Sequence, residues 1–307
     1  MIQTTPALDQ IRRALAAIEA HLDRPLAMAE LARRAGYSTW HFQRVFLALV
    51  DEPVASYVRR RRLTEAARML RHEPEQRLLE VALAVGFESH EAFTRAFRRE
   101  SGHTPSGFRD HPQPNLSWMR LPVAAEHLQL LPTNMSFEPT LLDLPALTLV
   151  GLSDRFIAAM SPDATNMDVI PPLWRSFQQR CGEIHRAYVV REPNQAWGVC
   201  RCLPPTDRTR EDELEYLAGV QIDPEAHGDL PEGMVRWDVP ARRYARFTHR
   251  GPIETFPETL SYVWGAWFPR SEYEPAMEAE LELYDERFKP GAEDSVLDYY
   301  VALRNKA

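Results

Sequence analysis

Lysine is nearly missing from this chain: of 36 basic residues only Lys289 and Lys306 are lysines, and the rest are arginines. Arginine suits bidentate contacts to carboxylates, phosphates and base edges, although a GC-rich coding sequence produces the same bias. Cysteine is equally scarce. Cys181, Cys200 and Cys202 form an odd set with no CxxC pair, which argues against a disulfide framework and for free thiols. Cys200 and Cys202 share a strand face; without a nearby Cys/His pair they read as packing residues rather than zinc ligands. There is no long apolar run and no signal-peptide pattern, so a soluble cytoplasmic protein without a membrane partner is expected. Neither a metal-ligand cluster nor a Ser-His-Asp arrangement is visible. No catalytic residue, metal or cofactor is therefore assigned.

What is present is unevenly distributed. The 307 residues suffice for two domains with separate cores. Net charge is −8, but residues 1–112 carry 17 arginines against 14 acidic residues, while the remainder carries 19 basic and 30 acidic residues. The first part tolerates phosphates, whereas the second repels them and attracts cations. The texture changes at the same place. Apolar positions recur at helical spacing in Leu8–Leu22, Leu26–Ala35, Ser38–Leu49, Val54–Leu70, Leu78–Val85 and Ser89–Arg99, and Thr104-Pro105 opens a last helix. Beyond His111-Pro-Gln-Pro-Asn115, strands are predicted at Leu147–Leu152, Arg186–Val190, Trp197–Leu203, Tyr216–Ile222, Met234–Val239, Arg243–His249, Leu281–Tyr284 and Val296–Leu303. Two helices, Ile170–Glu183 and Glu254–Phe268, fall between them. The order strand, helix, strands occurs twice, with Leu144-Pro-Ala146 and Val239-Pro-Ala241 before the opening strands. The expected architecture is an all-α domain over 1–112, a linker over 113–136, and an α+β domain of duplicated strand-helix-strand units over 137–307, enclosing a cleft.

The first domain contains one pattern twice. Ala35–Phe46 and Val85–Phe97 each have Gly, an aromatic residue, a hydroxyl residue, and then a short helix with Phe, Arg and Phe at alternate positions. Gly36 pairs with Gly86, Arg44 with Arg95. In the first copy Phe42, Val45, Phe46 and Leu49 make a buried stripe, so Trp40, Gln43 and Arg44 are expected to face outward. Ser38 or Thr39 caps that helix and leaves its N-terminus open to a phosphate. In the second copy Ser89 is the cap and His90, Glu91, Thr94 and Arg95 face outward. Val54–Leu70, about 17 residues or roughly 26 Å, can hold the two helices about 34 Å apart, one turn of B-DNA. One copy alone is equally an αα-hairpin of a bundle; two in phase favour double-stranded promoter DNA as partner. Of Arg59–Arg62, at most two can face phosphate, the others forming a solvated face.

Gly36-Tyr-Ser-x-Trp-His-x-Gln-Arg-x-Phe46, Arg61-Arg-Leu63 and Val81-Ala…Gly86-Phe-Glu-Ser…Phe93-Thr-Arg-Ala-Phe97…Thr104-Pro105…Arg109 resemble the AraC/XylS-type DNA-binding domain, in its Rob-like branch. The resemblance implies two helix-turn-helix motifs joined by a linker helix, with Trp40, Gln43 and Arg44 reading bases. His90, Glu91 and Ala92 depart from the two Gln and one Thr of close relatives, and Glu91 repels phosphate.

In the second domain Glu282 and Tyr284 share a strand face, which by alternation alone points to water. The chain has seven tryptophans, all but Trp40 beyond residue 112. Trp174, Trp197, Trp264 and Trp267 offer aromatic walls, the last two sharing a helix face, and an acid among aromatics suits a lipophilic cation. Leu173-Trp174-x-x-Phe177, Trp197-Gly-Val199, Pro231-Glu-Gly-Met234, Phe247-Thr-His-x-Gly-Pro252 and Glu282-x-Tyr284-Asp-Glu-Arg-Phe288 resemble the GyrI-like effector-binding domain. That resemblance implies a small-molecule effector meeting Glu282. A transcriptional regulator is expected, with RNA polymerase as a further partner. The alternatives are a GyrI-like hydrolase using Glu282 as general base, and a ligand-free protein-interaction domain.

Overall fold

The computed structural model describes residues 6–73, 75–111, 118–123, 138–158, 161, 163–203, 212–226 and 228–306. Two compact units emerge, Met1–Leu130 and Leu131–Ala307. Of the expected linker, 113–117 and 124–136 lie outside the described residues.

The first unit is helical: α1 (Pro6–Glu19), α2 (Met28–Ala35), α3 (Thr39–Val50), α4 (Val54–His72), α5 (Leu78–Ala84), α6 (His90–Ser101) and α7 (Pro105–Asp110). It has two cores rather than one. Leu8, Ile11, Leu31, Phe42, Phe46 and Tyr57 belong to the first, and Leu63, Leu70, Val81, Phe93, Phe97 and Phe108 to the second. Helix α4 runs through both. Its 19 residues span about 28 Å, with Val54 and Tyr57 in one core and Leu63, Ala66, Ala67 and Leu70 in the other.

The four arginines at the middle of α4 do not form a solvated face. Arg59 bonds Glu100, Arg60 bonds Glu52, and Arg62 donates to the Leu22 and Arg24 carbonyls. Arg61, with 3% side-chain exposure, grips Glu19 through Nε and Nη2 and also reaches Glu65. Helical spacing alone did not disclose this, because the partners come from α1, α3–α4 and α6. A buried guanidinium requires such partners, since its desolvation is otherwise uncompensated.

The second unit is one antiparallel sheet in the order β1-β6-β8-β7-β3-β4-β2-β5. Its elements are β1 (Thr140–Leu144), β2 (Leu147–Ile157), α8 (Asn166–Ala187), β3 (Ala196–Cys202), β4 (Glu213–Ile222), β5 (Val235–Val239), β6 (Arg242–Arg250), α9 (Phe256–Tyr262), β7 (Tyr273–Tyr284) and β8 (Val296–Asn305). The duplication is visible in the pairing: β3-β4-β2 and β7-β8-β6 are equivalent triplets meeting at a β3–β7 seam. Each edge strand sits on the other triplet. Leu144 of β1 pairs with Arg242 of β6, and Val239 of β5 with Leu147 of β2. Only Pro145-Ala146 and Pro240-Ala241 separate each edge strand from the next, so the two sheet ends must curl toward one another.

Three sequence expectations are corrected. Arg186–Val190 is not a strand: α8 continues to Ala187 with Phe177 and Ile184 buried on one face, and Val190 makes an isolated bridge to Ile222. Thr140–Leu144 is a strand that the sequence did not signal, because an edge strand buries only part of one face. Glu254–Phe268 is not one regular helix. A tight turn at Ile253–Thr255 leads into α9, and a π turn at Val263–Trp267 precedes a last turn at Phe268–Arg270.

Replacing Arg61 with Ala should lower the stability of the first unit by about 3 kcal/mol, the low end for a broken buried pair because Glu19 keeps some access to water. Denaturant unfolding followed by helical circular dichroism measures it. A change no larger than that of Arg68→Ala, an exposed control, would count against a structural Arg61.

Candidate nucleic-acid interface and ligand site

The duplicated turn repeats its glycine conformation and closing hydrogen bonds, with one extra residue before the cap in the second copy. Gly36 and Gly86 have φ of +78° and +77°, the left-handed region that a side chain strains to adopt. Gly36 N–H donates to Arg33 O and Tyr37 N–H to Ala32 O; Gly86 N–H donates to Leu83 O and Phe87 N–H to Ala82 O. Phe42–Phe46 and Phe93–Phe97 ring pairs stand 5.7 and 5.6 Å apart, both at 63°. Ser38 caps α3 by accepting from His41 N–H, so Thr39 is the first helical residue rather than the cap. Ser89 caps α6 through Ala92 N–H.

On α3, Trp40 and Arg44 are half-buried, with the guanidinium 4.2 Å over the indole ring. The stacking holds the Arg44 guanidinium flat against the indole. Gln43 is the exception to the expected outward set: it keeps only 8% exposure. On α6, Arg95 and Glu91 are exposed, and His90 and Thr94 are half-buried. Glu91 turns back on the helix start. Its own backbone N–H, and then the Ser89 hydroxyl, hold its carboxyl below the usual carboxylate range. The acid thereby satisfies the end of α6 where a phosphate would otherwise dock.

In the second unit Glu282 is half-buried and engaged by two phenols. Its Oε2 accepts from the Tyr216 hydroxyl at 2.5 Å and from the Tyr284 hydroxyl at 2.8 Å. Trp174 of α8 donates from Nε1 to Tyr216 and lies 4.6 Å from the Tyr284 ring, which Phe288 closes from another side at 4.7 Å. Burial, and next the charge of Glu282, push both tyrosine hydroxyls well above their ordinary range. The cluster lies across the seam, since Gly198 pairs directly with Glu282. Gly198 makes room for it: a Cβ there would stand 1.9 Å from the Tyr216 hydroxyl oxygen and 2.9 Å from Glu282 Oε2.

Of the expected ligand residues, the structure thus brings together Glu282, Tyr284 and Trp174, and adds Tyr216 and Gly198. Trp197 is elsewhere. It precedes Gly198 in β3 and points through the opposite sheet face, into a core with Leu283, Trp237 and Tyr300. Trp264 is buried and stacked on Phe268, while Trp267 lies against Phe247 and Tyr273. The π turn separates them, because residues three apart no longer overlie when the turn is widened. Tyr216 was legible only as an alternating strand residue; no spacing links it to Glu282.

The Helix-turn-helix domain model matches residues 31–111, and the GyrI-like small molecule binding domain model matches residues 137–304, more than half of the chain. The chain belongs to the AraC-type regulators that carry a GyrI-like domain. It is 27% identical over 275 residues to the right origin-binding protein of Escherichia coli K12, covering 89% of each. The transcriptional regulator Rob of Salmonella typhimurium is also 27% identical, over 278 residues and 89% of each chain. The regulatory protein SoxS of the same organism is 39% identical over 92 residues, which is 30% of this chain and 85% of SoxS. The GyrI-like match coincides with the sheet unit and so includes the Glu282 cluster. No helix among the described residues is long and apolar enough to cross a membrane.

Because the unfolded-state tyrosines titrate near pH 10 and the folded ones above it, the stabilisation tied to Tyr216 and Tyr284 is present below about pH 10 and is lost as pH rises further. Phenolate absorbance should show both hydroxyls silent until alkaline unfolding, and Tyr216→Phe should remove one late-titrating group. Early ionisation of that group would contradict its burial.

Proposed function

We propose that this protein binds promoter DNA through α3 and α6 and that an organic cation of lipophilic character, bound at Glu282, controls it. The observation that carries the DNA reading is the in-phase repetition of turn, cap and arginine on two separately cored units joined by α4. Arg44, braced on Trp40, is the base reader of the first helix, and Arg95 occupies the matching position on the second. Glu91 makes α6 the weaker reader. The cation reading rests on a carboxylate ringed by Trp174, Tyr216, Tyr284 and Phe288, in which charge attraction and cation–π contact act together. Two protonated phenols held on Glu282 also favour binding over hydrolysis. They engage the carboxylate as acceptor, and neither is poised to exchange protons near neutrality.

Arg44→Ala should weaken binding to a duplex selected from a random pool by about 1–3 kcal/mol, with little change on an unrelated duplex. Equal losses on both, in an anisotropy titration, would remove Arg44 from base reading. Glu282→Gln should lower affinity for lipophilic cations by about tenfold or more while sparing neutral analogues, followed by tryptophan fluorescence. Unchanged cation affinity would move the ligand away from Glu282.

A further inference from the structure

Residues 118–123 fall within the stretch expected to be a linker, yet they are fastened along α4. Trp118 O accepts from Arg60 Nε and Nη2 at 3.4 and 3.3 Å. Arg120 N–H donates to Thr64 Oγ1 at 2.9 Å, and Arg120 O accepts from Arg61 Nη1 at 3.0 Å. Val123 N–H donates to the Tyr57 hydroxyl at 3.2 Å, which in turn donates to Glu19 at 2.8 Å. Tyr57, Arg60, Arg61 and Thr64 are spaced i, i+3, i+4, i+7, one face of the helix. The segment therefore runs antiparallel to α4 over two helical turns, with four of its backbone polar groups met by side chains of that single face.

Its own side chains reach both recognition helices. The Trp118 ring packs 5.4 Å from Phe97 of α6 and 6.1 Å from Phe108, within the second core. Arg120 donates to the carbonyl of Val50, the last residue of α3, pairs with the buried Glu52 in the following turn, and lies over the Tyr57 ring. Val123 packs on the first core. Leu121 between them is 71% exposed and takes no part in holding the segment down.

We propose that Trp118–Val123 is a splint that fixes the orientation of α3 relative to α6, making Trp118 and Arg120 positioning residues for two-site DNA binding. The two helix-turn-helix units have separate cores and meet beside α4 where Gly86 approaches the Leu22 carbonyl and Arg62 ties Leu22 and Arg24, which leaves twisting about that contact to be opposed elsewhere. A second strand of chain tied to α4 at both ends resists that motion. Pre-set orientation raises the effective concentration of the second unit at its half-site once the first has bound. The inference rests on the DNA reading above, and its test separates the two.

The probe is a duplex selected from a random pool by the full-length protein, together with shortened duplexes carrying either half alone. Thr64→Val with Arg120→Ala should lower affinity for the full duplex by about tenfold and change either half-duplex by less than about twofold. Equal losses on all three probes, or no loss on any, would overturn the splint. Amide hydrogen exchange on the full-length wild type provides a second measure that does not depend on a variant folding. The Arg120 and Val123 amides should be protected, and Thr64→Val should release Arg120; exchange at the unstructured rate in the wild type overturns the proposal. If the wild type retains no duplex at all, the DNA reading fails, and the coupling with it, while exchange still decides whether the splint forms.

Discussion

Tyr57, Arg60, Arg61 and Thr64 occupy one face of α4, and the placement of both recognition helices is fixed through the groups that meet there. The arrangement is electrostatic at its centre. Arg61 is almost fully removed from water and survives as a cation because Glu19, Glu65 and the Arg120 carbonyl replace its hydration. Glu19 comes from α1 and Arg120 from the chain beyond α7, so the same ion pair ties the start and the end of the unit to its middle. A helix that had only apolar contacts with its two cores would hold their separation but not their mutual twist.

The second unit solves a different problem, that of keeping a carboxylate among aromatic rings. Glu282 accepts from two phenolic donors, in a part of the chain already rich in acid. Hydroxyl donors satisfy the oxygen without cancelling its field, and this is the electrostatic setting that a cationic guest requires.

Much of this was legible from the residues. The helices of the first unit and most strands of the second followed from periodicity, and the doubled Gly-aromatic-hydroxyl pattern located both turns and their caps. Alternation alone pointed Glu282 and Tyr284 to water; the GyrI-like resemblance singled out Glu282, and the need for aromatic walls singled out Trp174. What escaped reading depended on distant pairing. Tyr216 reaches Glu282 from 66 residues away, and its place depends on Gly198 having no side chain. Trp197 was placed on the wrong side because an aromatic residue at a strand start does not reveal its face until the register is known. Gln43 and the α4 arginines show the same limit: a helical wheel separates inside from outside only for the neighbours it anticipates. Trp264 and Trp267 parted for a local reason, the π turn, which no spacing rule signals.

The exchange of edge strands in the sheet has a consequence for how the ligand unit came to work as a whole. Neither triplet can close its own border, since β1 is donated to β6 and β5 to β2. Separated, each would present raw ladder edges to solvent and to other chains. The two repeats are thus mutually dependent lodgers under one roof, and a disturbance at their common wall, where Gly198 faces Glu282, is felt by both.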